Sequence, residues 1–226
     1  MSSTFGPLST TRYTVNGVTF DMVRVPPGRF IDGSVVREDL RELMVSRPFE
    51  IGMTLVTQSL WAAVTGAWPA HARDGQRPVD QVTRTDIDAF LRELEGLGFT
   101  GFDLPTAAEW SWAARCGVAT AWAGANRTAS IAALKRHTSG WVAARKASAA
   151  GLFDMTGNMS EYTSDIRLET QPAGVDVRVD SPAERRRVAI GGSWADGPED
   201  ALLSRPTSAG NEPYDDIGLR LVRRQP

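Results

Sequence analysis

The residues best suited to chemistry lie in one short segment, GLFDMTGNMSEYTSD at positions 151–165. Two acids, Asp154 and Glu161, stand on either side of Gly157 in the spacing D-x-x-G-x-x-x-E, inside an otherwise apolar and aromatic run. Acids placed in this way serve a metal loop or a catalytic loop, or they accept hydrogen bonds from backbone amides in a plain turn. The spacing predicts a loop through the segment and leaves all three roles open.

The composition is that of an ordinary globular protein and argues against several kinds of partner. With 226 residues, of which 42% are hydrophobic and 23% charged, the chain can bury a substantial core. Its net charge of −2 and pI near 5.8 give no general attraction to nucleic acid or to an anionic membrane, so we expect neither partner. The first residues lack the pattern of a secretory signal, and no stretch has the roughly 18 apolar residues of a membrane helix. Together with the single cysteine, Cys116, this predicts a cytoplasmic protein.

A hairpin and two late strands are predicted from runs rich in β-forming residues. Residues 12–25 alternate around Asn16-Gly17, a pair that favours a two-residue hairpin turn because both positions require positive φ. Residues 186–194 and 216–222 are the other strand candidates, and residues 31–47 form a strand or a loop. No repeat or linker divides the chain, so we predict one α+β domain over residues 1–226 with a flexible segment at 1–11.

Three helices are predicted from their caps and apolar periodicity. Thr57 caps the first helix, which ends at Gly66. The second has an apolar stripe at the spacing i, i+3, i+4, i+7, made of Ile87, Phe90, Leu91 and Leu94. Thr106 and Glu109 form a capping box that begins the third helix, and Gly117 ends it.

Four sequence blocks, in their order and spacing, resemble the formylglycine-generating enzyme family, also called the sulfatase-modifying-factor family. They are VPPGRF at 25–30, FDLPTAAEWSWAARCG at 102–117, GLFDMTGNMSEYTSD at 151–165, and VAIGGSW at 188–194 with DIGLRLV at 216–222. The resemblance extends over residues 13–223, nearly the whole chain. It implies a single irregular α+β domain, a variant of the C-type-lectin fold with long ordered loops.

The resemblance also implies a calcium site in the acid-bearing segment. Carried over residue by residue, its ligands are the side chains of Asp154 and Glu161 and the backbone carbonyls of Gly157 and Met159. Calcium prefers hard oxygen ligands, and a tight turn aims carbonyls inward between two carboxylates. We therefore expect one Ca²⁺ ion, with capping of backbone amides as the alternative role of the two acids. A second ion is not expected, because residues 120–150 contain no Asp or Glu.

The residues that carry catalysis in this family are missing here. Its catalytic members have two cysteines shortly after the G-G-S-aromatic strand, and these cysteines bind Cu(I) through soft thiolates. In this chain the segment reads GGSWADGPEDALLSRP, with Asp196 and Ala201 at the corresponding positions, so we expect neither copper nor formylglycine generation. Cys116 is expected to be a small buried hydrophobe. The two histidines, His71 and His137, are too few for the three-histidine iron site of other relatives, and no catalytic residue can be named.

The leading hypothesis is a non-catalytic module that binds a protein or peptide ligand. In the family fold the last irregular segment, here residues 194–215, is displayed where the enzymes hold their substrate peptide. The candidate ligand-binding residues are Trp194, Asp196, Glu199, Asp200, Arg205, Asn211 and Tyr214. Aromatic and arginine anchors among polar residues are typical of a recognition surface. The segment lies between strands like those that bound the variable region in proteins of diversity-generating retroelements, so the chain is compatible with a bacterial variable protein of that kind.

Two other functions stay open at this point. One is an enzyme with cysteine-independent oxidative or maturation chemistry, since branches of the family that lack the cysteine pair act in siderophore maturation. The other is an accessory subunit of a larger complex. The sequence indicates neither the identity of the ligand nor the oligomeric state.

Overall fold

The N-terminal hairpin forms where the sequence predicts it. The structure is a computed structural model, and it describes residues 5–33, 38–68, 73–118, 120–123, 134–180, 186–203 and 205–225. Strands β1 (Thr10–Val15) and β2 (Val18–Val25) pair antiparallel across Asn16-Gly17, whose φ angles are 45° and 84°. Positive φ at both positions is what this turn requires, so the prediction is confirmed.

The described residues form three β-sheets and three helices, the mixed α+β architecture that the sequence predicts. After the hairpin come β3 (Gly28–Asp32), β4 (Arg41–Val45), β5 (Phe49–Gly52), α1 (Gln58–Thr65), α2 (Arg84–Gly96), β6 (Phe102–Asp103), α3 (Ala107–Arg115), β7 (Ser160–Ile166), β8 (Gly174–Val175), β9 (Arg187–Ile190), β10 (Thr207–Ala209), β11 (Ile217–Leu219) and β12 (Val222–Arg223). The five-stranded sheet has the order β1-β2-β5-β12-β6, the four-stranded sheet β10-β9-β7-β11 and the three-stranded sheet β3-β4-β8.

The helix caps agree with the sequence except at one position. Thr57 Oγ1 accepts a hydrogen bond from the Leu60 amide at the start of α1, and Gly66 ends that helix with φ 71°. The capping box of α3 is present in both directions between Thr106 and Glu109. The helix ends one residue earlier than predicted, because Cys116 itself adopts the left-handed conformation with φ 53°.

Cys116 lies in the hydrophobic core, as expected for a small apolar residue. Its side chain is 1% exposed and belongs to a cluster that includes Trp110 and Trp112 of α3. A second cluster buries Ile87, Phe90 and Leu94 of α2, while Leu91 from the same predicted stripe is only packed against its edge. Tyr162 of β7 belongs to the second cluster, and Met155, in the turn that precedes β7, belongs to the first.

Residues 160–166 form strand β7 and not the second half of a loop, so the prediction of a loop through residue 165 was wrong. All seven residues of β7 are buried, and the strand pairs with β9 on one side and β11 on the other. A strand covered on both faces has no alternation of apolar and polar residues to mark it. Its sequence, SEYTSDI, therefore carries no strand signal.

The segment before β1 is attached to the core. The Phe5 ring meets Trp112 edge-on at 5.1 Å between centroids, and the Phe5 amide donates to the Cys116 carbonyl at 2.9 Å. These contacts differ from the flexible segment expected for residues 1–11; residues 1–4, like His71, lie outside the described part of the chain. None of the helices in the described part has the length and apolar character needed to cross a bilayer.

Candidate functional site

Glu161, on β7, is half of a buried ion pair. Arg220, between β11 and β12, donates to it from Nε and Nη2 at distances of 2.7 to 3.1 Å. Trp110 of α3 donates from its indole Nε1 to Glu161 Oε2 at 2.6 Å. Both charged side chains are 0% exposed. Two charges removed from water in this way depend on close, fully hydrogen-bonded geometry, which this pair has.

Arg220 joins the ion pair to two other parts of the fold. Its Nη1 donates to the carbonyl of Gly52 at 2.8 Å, and its Nη2 donates to the carbonyl of Phe153 at 2.8 Å. The guanidinium thus links β7, the end of β5 and the turn that precedes β7. Its planar fork of five N–H groups suits this number of simultaneous acceptors.

Asp154 lies in that turn, in the left-handed conformation with φ 57°. Its Oδ2 accepts a hydrogen bond from the Ala143 amide at 2.8 Å. Burial raises the pKa of the Asp154 carboxyl, and the Ala143 amide and the charge of Arg220 only partly oppose this rise. The acid caps a neighbouring loop, which is the alternative role that the sequence left open for it.

The carboxylate of Glu161, one of the four predicted calcium ligands, is already engaged. Glu161 Oε1 has two donors, Arg220 Nε and Nη2, and Oε2 has two donors, Arg220 Nε and Trp110 Nε1. Three N–H groups thus engage both oxygens of the carboxylate, with the Arg220 Nε–H shared between them. The Arg220 charge would also repel a cation held between Asp154 and Glu161. As arranged, the set of Asp154, Gly157, Met159 and Glu161 does not fit Ca²⁺, and the calcium site stays a prediction that this geometry does not support.

The predicted recognition segment, residues 194–215, begins and ends beside the same turn. The Trp194 amide donates to the Asn158 carbonyl at 2.9 Å, and the Trp194 carbonyl accepts from the Arg136 amide at 2.7 Å. The Trp194 indole, half-buried, donates to the Asp215 carbonyl at 3.2 Å. The first and last residues of the segment are therefore held together. The stretch between them leaves the end of β9 and returns to the same sheet as β10, which pairs antiparallel with β9.

Ser193 connects two carboxylates at the base of this excursion. Asp196 Oδ2 accepts from the Ser193 amide at 2.7 Å and from Ser193 Oγ at 2.9 Å. Ser193 Oγ also lies 3.3 Å from Asp216 Oδ2. Burial and the nearby charges of Asp215 and Asp196 raise the pKa of Asp216. Burial is the main cause of this rise in the pKa of Asp216, and the two neighbouring carboxylates add to it.

The remaining candidate residues divide by exposure. Glu199, Asp200, Arg205 and Asn211 are exposed, and Arg205 Nη1 pairs with Asp200 Oδ1 at 3.0 Å. Tyr214 is half-buried; its hydroxyl donates to Glu212 Oε2 at 2.9 Å and accepts from the Gly210 amide at 3.1 Å. The exposed residues are free to meet a partner, whereas Trp194, Asp196 and Tyr214 also hold the shape of the segment.

A separate cleft of about 290 Å³ lies between the β4–β5 connection and the start of α3. Arg224 and Arg178 line it and are paired with Glu109 at 2.6 Å and Asp103 at 3.0 Å. No residue of the segment 194–215 lines this cleft. It is therefore not part of the predicted recognition surface.

The sequence model of one family matches almost the whole chain. This model describes the sulfatase-modifying factor enzyme 1-like domain, and it matches residues 13–225. The chain belongs to this family. The match confirms the resemblance drawn from the four sequence blocks.

Solved structures of related proteins confirm the fold of this sulfatase-modifying-factor-like protein. Treponema denticola variable protein 1 is 26% identical and superposes with a TM-score of 0.86 over 96% of this chain and 99% of that one. PvdO from Pseudomonas aeruginosa is 18% identical, with a TM-score of 0.82 over 97% and 99%, and CarF is 21% identical, with 0.70 over 92% and 99%. The fold is thus the irregular C-type-lectin variant typical of the family.

A curated relative covers a similar share of the chain. The chaperone protein LppX of Paenibacillus barcinonensis is 25% identical over 91% of this chain and 90% of its own length.

In this family member the two positions that correspond to the catalytic cysteines have other uses. Asp196 accepts a hydrogen bond from the Ser193 amide and so stabilises the turn there. Ala201 is buried against Gly192: a Cβ added to Gly192 would lie 2.6 Å from the Cβ of Ala201. The chain's one cysteine, Cys116, lies in the core at the end of α3. Neither Asp196 nor Ala201 offers a thiolate for copper.

Sequence reasoning missed the residues that support the segment from below. Ser193, Asp216 and Tyr162 lie outside the predicted range of 194–215, although the structure brings them to its base. Arg220 was also missed as the partner of Glu161. Tyr162 lies on β7, and the other three residues closely follow or precede strands β9 and β11. No local pattern reveals how these strands pair, so the pairing of β7 with β11 and β9 was the missing information.

Proposed function

We propose that this protein is a non-catalytic binding module whose recognition surface is formed by residues 194–215. One observation carries the proposal: the segment that holds the catalytic cysteines in enzymes of the family is here a braced loop without thiolates that exposes charged and polar side chains. The bracing comes from the bonds of Trp194 and Ser193 to the sheet and to the turn before β7. A rigid base with exposed side chains lowers the entropy lost when a partner binds.

The comparisons support binding over catalysis. The Treponema denticola neighbour is called a variable protein, and variation of exposed residues on a constant scaffold serves ligand recognition. The Paenibacillus relative is called a chaperone, a protein that acts by binding another protein. For this chain we infer a protein or peptide ligand, and we extend the comparison to a variable protein of a diversity-generating retroelement.

The test is capture of partners from a lysate of the source organism with two matched triple variants. The first, Glu199→Ala/Asp200→Ala/Arg205→Ala, removes exposed charges from the recognition segment. The control, Arg92→Ala/Glu93→Ala/Glu95→Ala, removes the same charges from the exposed face of α2. Thermal melting of both variants checks that they fold.

A partner that binds wild type and the α2 variant, but not the segment variant, is the expected result. Such a partner is then purified and its direct binding measured by calorimetry. A partner that binds all three proteins equally would overturn the assignment of the surface. If no partner binds any of them, the proposal loses its support to the alternative of a cysteine-independent enzyme.

A further inference from the structure

The recognition segment is far more acidic than the rest of the chain. Residues 194–216 contain six acids and a single base, Arg205, a formal charge of −5, whereas the whole chain carries −2. The other residues together are therefore positive by 3. This separation of charge places a strong negative potential on the surface proposed to bind a partner.

Four of the acids converge at the base of the segment, and we call Asp196, Glu212, Asp215 and Asp216 the acidic cluster. Ser193 Oγ bridges Asp196 and Asp216 at 2.9 and 3.3 Å. The charges of Asp215 and Asp196 act on Asp216 strongly enough to help raise its pKa. Their arrangement is not a metal site: the described residues contain no group of three or more acidic, histidine or cysteine side chains placed to hold one ion.

A buried hydroxyl without a partner lies under the acidic cluster. Tyr162 of β7 is 0% exposed, and its phenolic oxygen has no hydrogen-bond partner among the described residues. Burial raises its pKa, and Tyr214, Glu212 and Asp216 raise it further, so the phenol faces these groups. A buried polar group is normally satisfied, so an orphaned hydroxyl beside carboxylates marks a place where a further hydrogen-bonding group fits.

Four bases lie near the acidic cluster, and two of them, Lys135 and Arg136, are held there by backbone bonds to Asp196 and Trp194. Arg84 acts on Tyr162 from the α2 side, but it is paired with Asp88 at 2.9 Å. Arg186 acts on Glu212 from the side of β9. Asp215 is exposed, and its carboxylate makes no hydrogen bond or ion pair with any described residue.

Two aromatic side chains complete the surroundings of the acidic cluster. The Trp194 indole is half-buried and bonded to the Asp215 backbone, and Tyr214 is half-buried and bonded to Glu212. Aromatic faces next to carboxylates suit a long cationic side chain, because the rings contact its stem and attract its charge while the acids accept its hydrogen bonds.

We propose that the acidic cluster binds a lysine or arginine side chain of the partner, so that the ligand of this module is a basic peptide segment. The proposal rests on the proposed function and names the chemistry of its ligand. The guanidinium or ammonium group pairs with Asp215 and Asp216, its stem lies along Trp194, and its approach supplies a donor to the floor at Tyr162. A guanidinium offers five N–H donors in a planar fork, so it can pair with more than one carboxylate at once.

The test uses a fluorescein-labelled peptide of six Arg-Gly repeats, with Gln-Gly and Glu-Gly peptides of equal length as controls, and measures binding by fluorescence anisotropy in 20 mM salt. Three variants are compared with wild type: Glu212→Gln/Asp215→Asn in the cluster, Glu93→Gln/Glu95→Gln on α2 as a charge-matched control, and Tyr162→Phe. We expect the arginine peptide alone to bind wild type and the α2 variant. The cluster variant should bind at least about tenfold more weakly, as loss of charge-assisted hydrogen bonds predicts.

Tyr162→Phe separates a role in binding from a role in folding. We expect it to weaken peptide binding severalfold while its melting temperature stays equal to that of wild type or rises, because the hydroxyl it removes has no hydrogen-bond partner among the described residues. Binding that is absent in wild type up to 1 mM peptide, or that is lost equally in the cluster and α2 variants, overturns the proposal.

The outcomes also separate this proposal from the proposed function. A lysate partner that requires the exposed charges at 199–205, but binds the Glu212→Gln/Asp215→Asn variant as well as wild type, leaves the binding module standing and refutes the basic ligand. If the arginine peptide binds specifically but no partner in the lysate depends on the segment, the basic ligand is supported and the partner expected under the proposed function is refuted.

Discussion

The ion pair of Arg220 and Glu161 offers a stringent test of how this fold is stabilised. Replacing Arg220 with Met keeps a side chain of similar length but removes every hydrogen bond of the guanidinium. Glu161 would remain buried with only the Trp110 indole as its donor. The carbonyls of Gly52 and Phe153 would each lose a donor as well.

The cost can be estimated from these contacts. Removing one partner of a buried ion pair costs about 3–5 kcal/mol, because the other charge stays buried and unpaired. Each buried carbonyl that loses its donor adds up to about 1–3 kcal/mol, with overlap between these contributions. We therefore expect Arg220→Met to lower the free energy of unfolding by at least about 4 kcal/mol, a large part of the 5–15 kcal/mol of a typical domain.

Urea unfolding followed by tryptophan fluorescence and circular dichroism measures this change, provided that both signals report one transition. Arg29→Met is the control, since the Arg29–Glu42 pair has a similar N–O distance of 2.8 Å but side-chain exposures of 63% and 53%. That variant should change stability by no more than about 1 kcal/mol. If Arg220→Met is too unstable to purify, Arg220→Lys keeps the charge, loses the fork of donors, and should give an intermediate loss.

A double variant tests whether the loss arises from the unpaired charge. Glu161→Gln/Arg220→Met removes both charges and keeps an acceptor for the Trp110 indole. We expect it to be more stable than Arg220→Met, with a coupling of about 1–3 kcal/mol between the two positions. A loss below about 1 kcal/mol in Arg220→Met, or a double variant less stable than the single one, would refute the buried-pair reasoning.

Three further predictions concern the turn and the segment. Burial raises the pKa of the Asp154 carboxyl, so its negative charge destabilises the folded state. This destabilisation is complete above the folded pKa and absent below the unfolded pKa, which is near 3.9. Asp154→Asn should therefore stabilise the protein at pH 8 and give no gain at pH 3, as urea unfolding at each pH will show. Because the oxygens of Glu161 are already engaged, chelator and added Ca²⁺ should leave the melting temperature unchanged, and bound calcium in metal analysis together with a stabilised melt would reinstate the site. Gly192→Ala should lower the free energy of unfolding by about 2–4 kcal/mol, since φ is 68° and the new Cβ would lie 2.6 Å from that of Ala201. The control Gly66→Ala, with φ 71° and open space around the new Cβ, should lower it by only about 1–2 kcal/mol. Equal melting temperatures of the two variants would contradict the clash at Gly192.

Local elements of the fold were predictable because their causes are local. The turn at Asn16-Gly17 depends on positive φ at two adjacent residues, and the caps at Thr57 and Thr106 depend on a side chain that reaches a backbone amide within three residues. Strand β7 was not predictable in the same way. Its identity comes from pairing with β9 and β11, which are contributed by residues far along the chain.

The site shows the same division. The sequence shows that residues 194–215 lack the cysteine pair and lie between two strand motifs. It also shows the acids at positions 154 and 161. The sequence does not show which side chains surround these acids in the folded protein. Glu161 meets Arg220 across 59 residues of sequence, and that contact engages the oxygens that the calcium prediction assigns to the ion.

What the sequence by itself determined is therefore the family, the domain, the short-range elements and the loss of the copper-binding thiolates, since each depends on residue identity and on spacing along the chain. What only the tertiary structure decided is which charges meet. Long-range packing placed Arg220 beside Glu161 and brought the carboxylates of Asp196 and Asp216 to the hydroxyl of Ser193. Charge interactions depend on distance and on exclusion of water, and in a folded chain both are set by which strands pair.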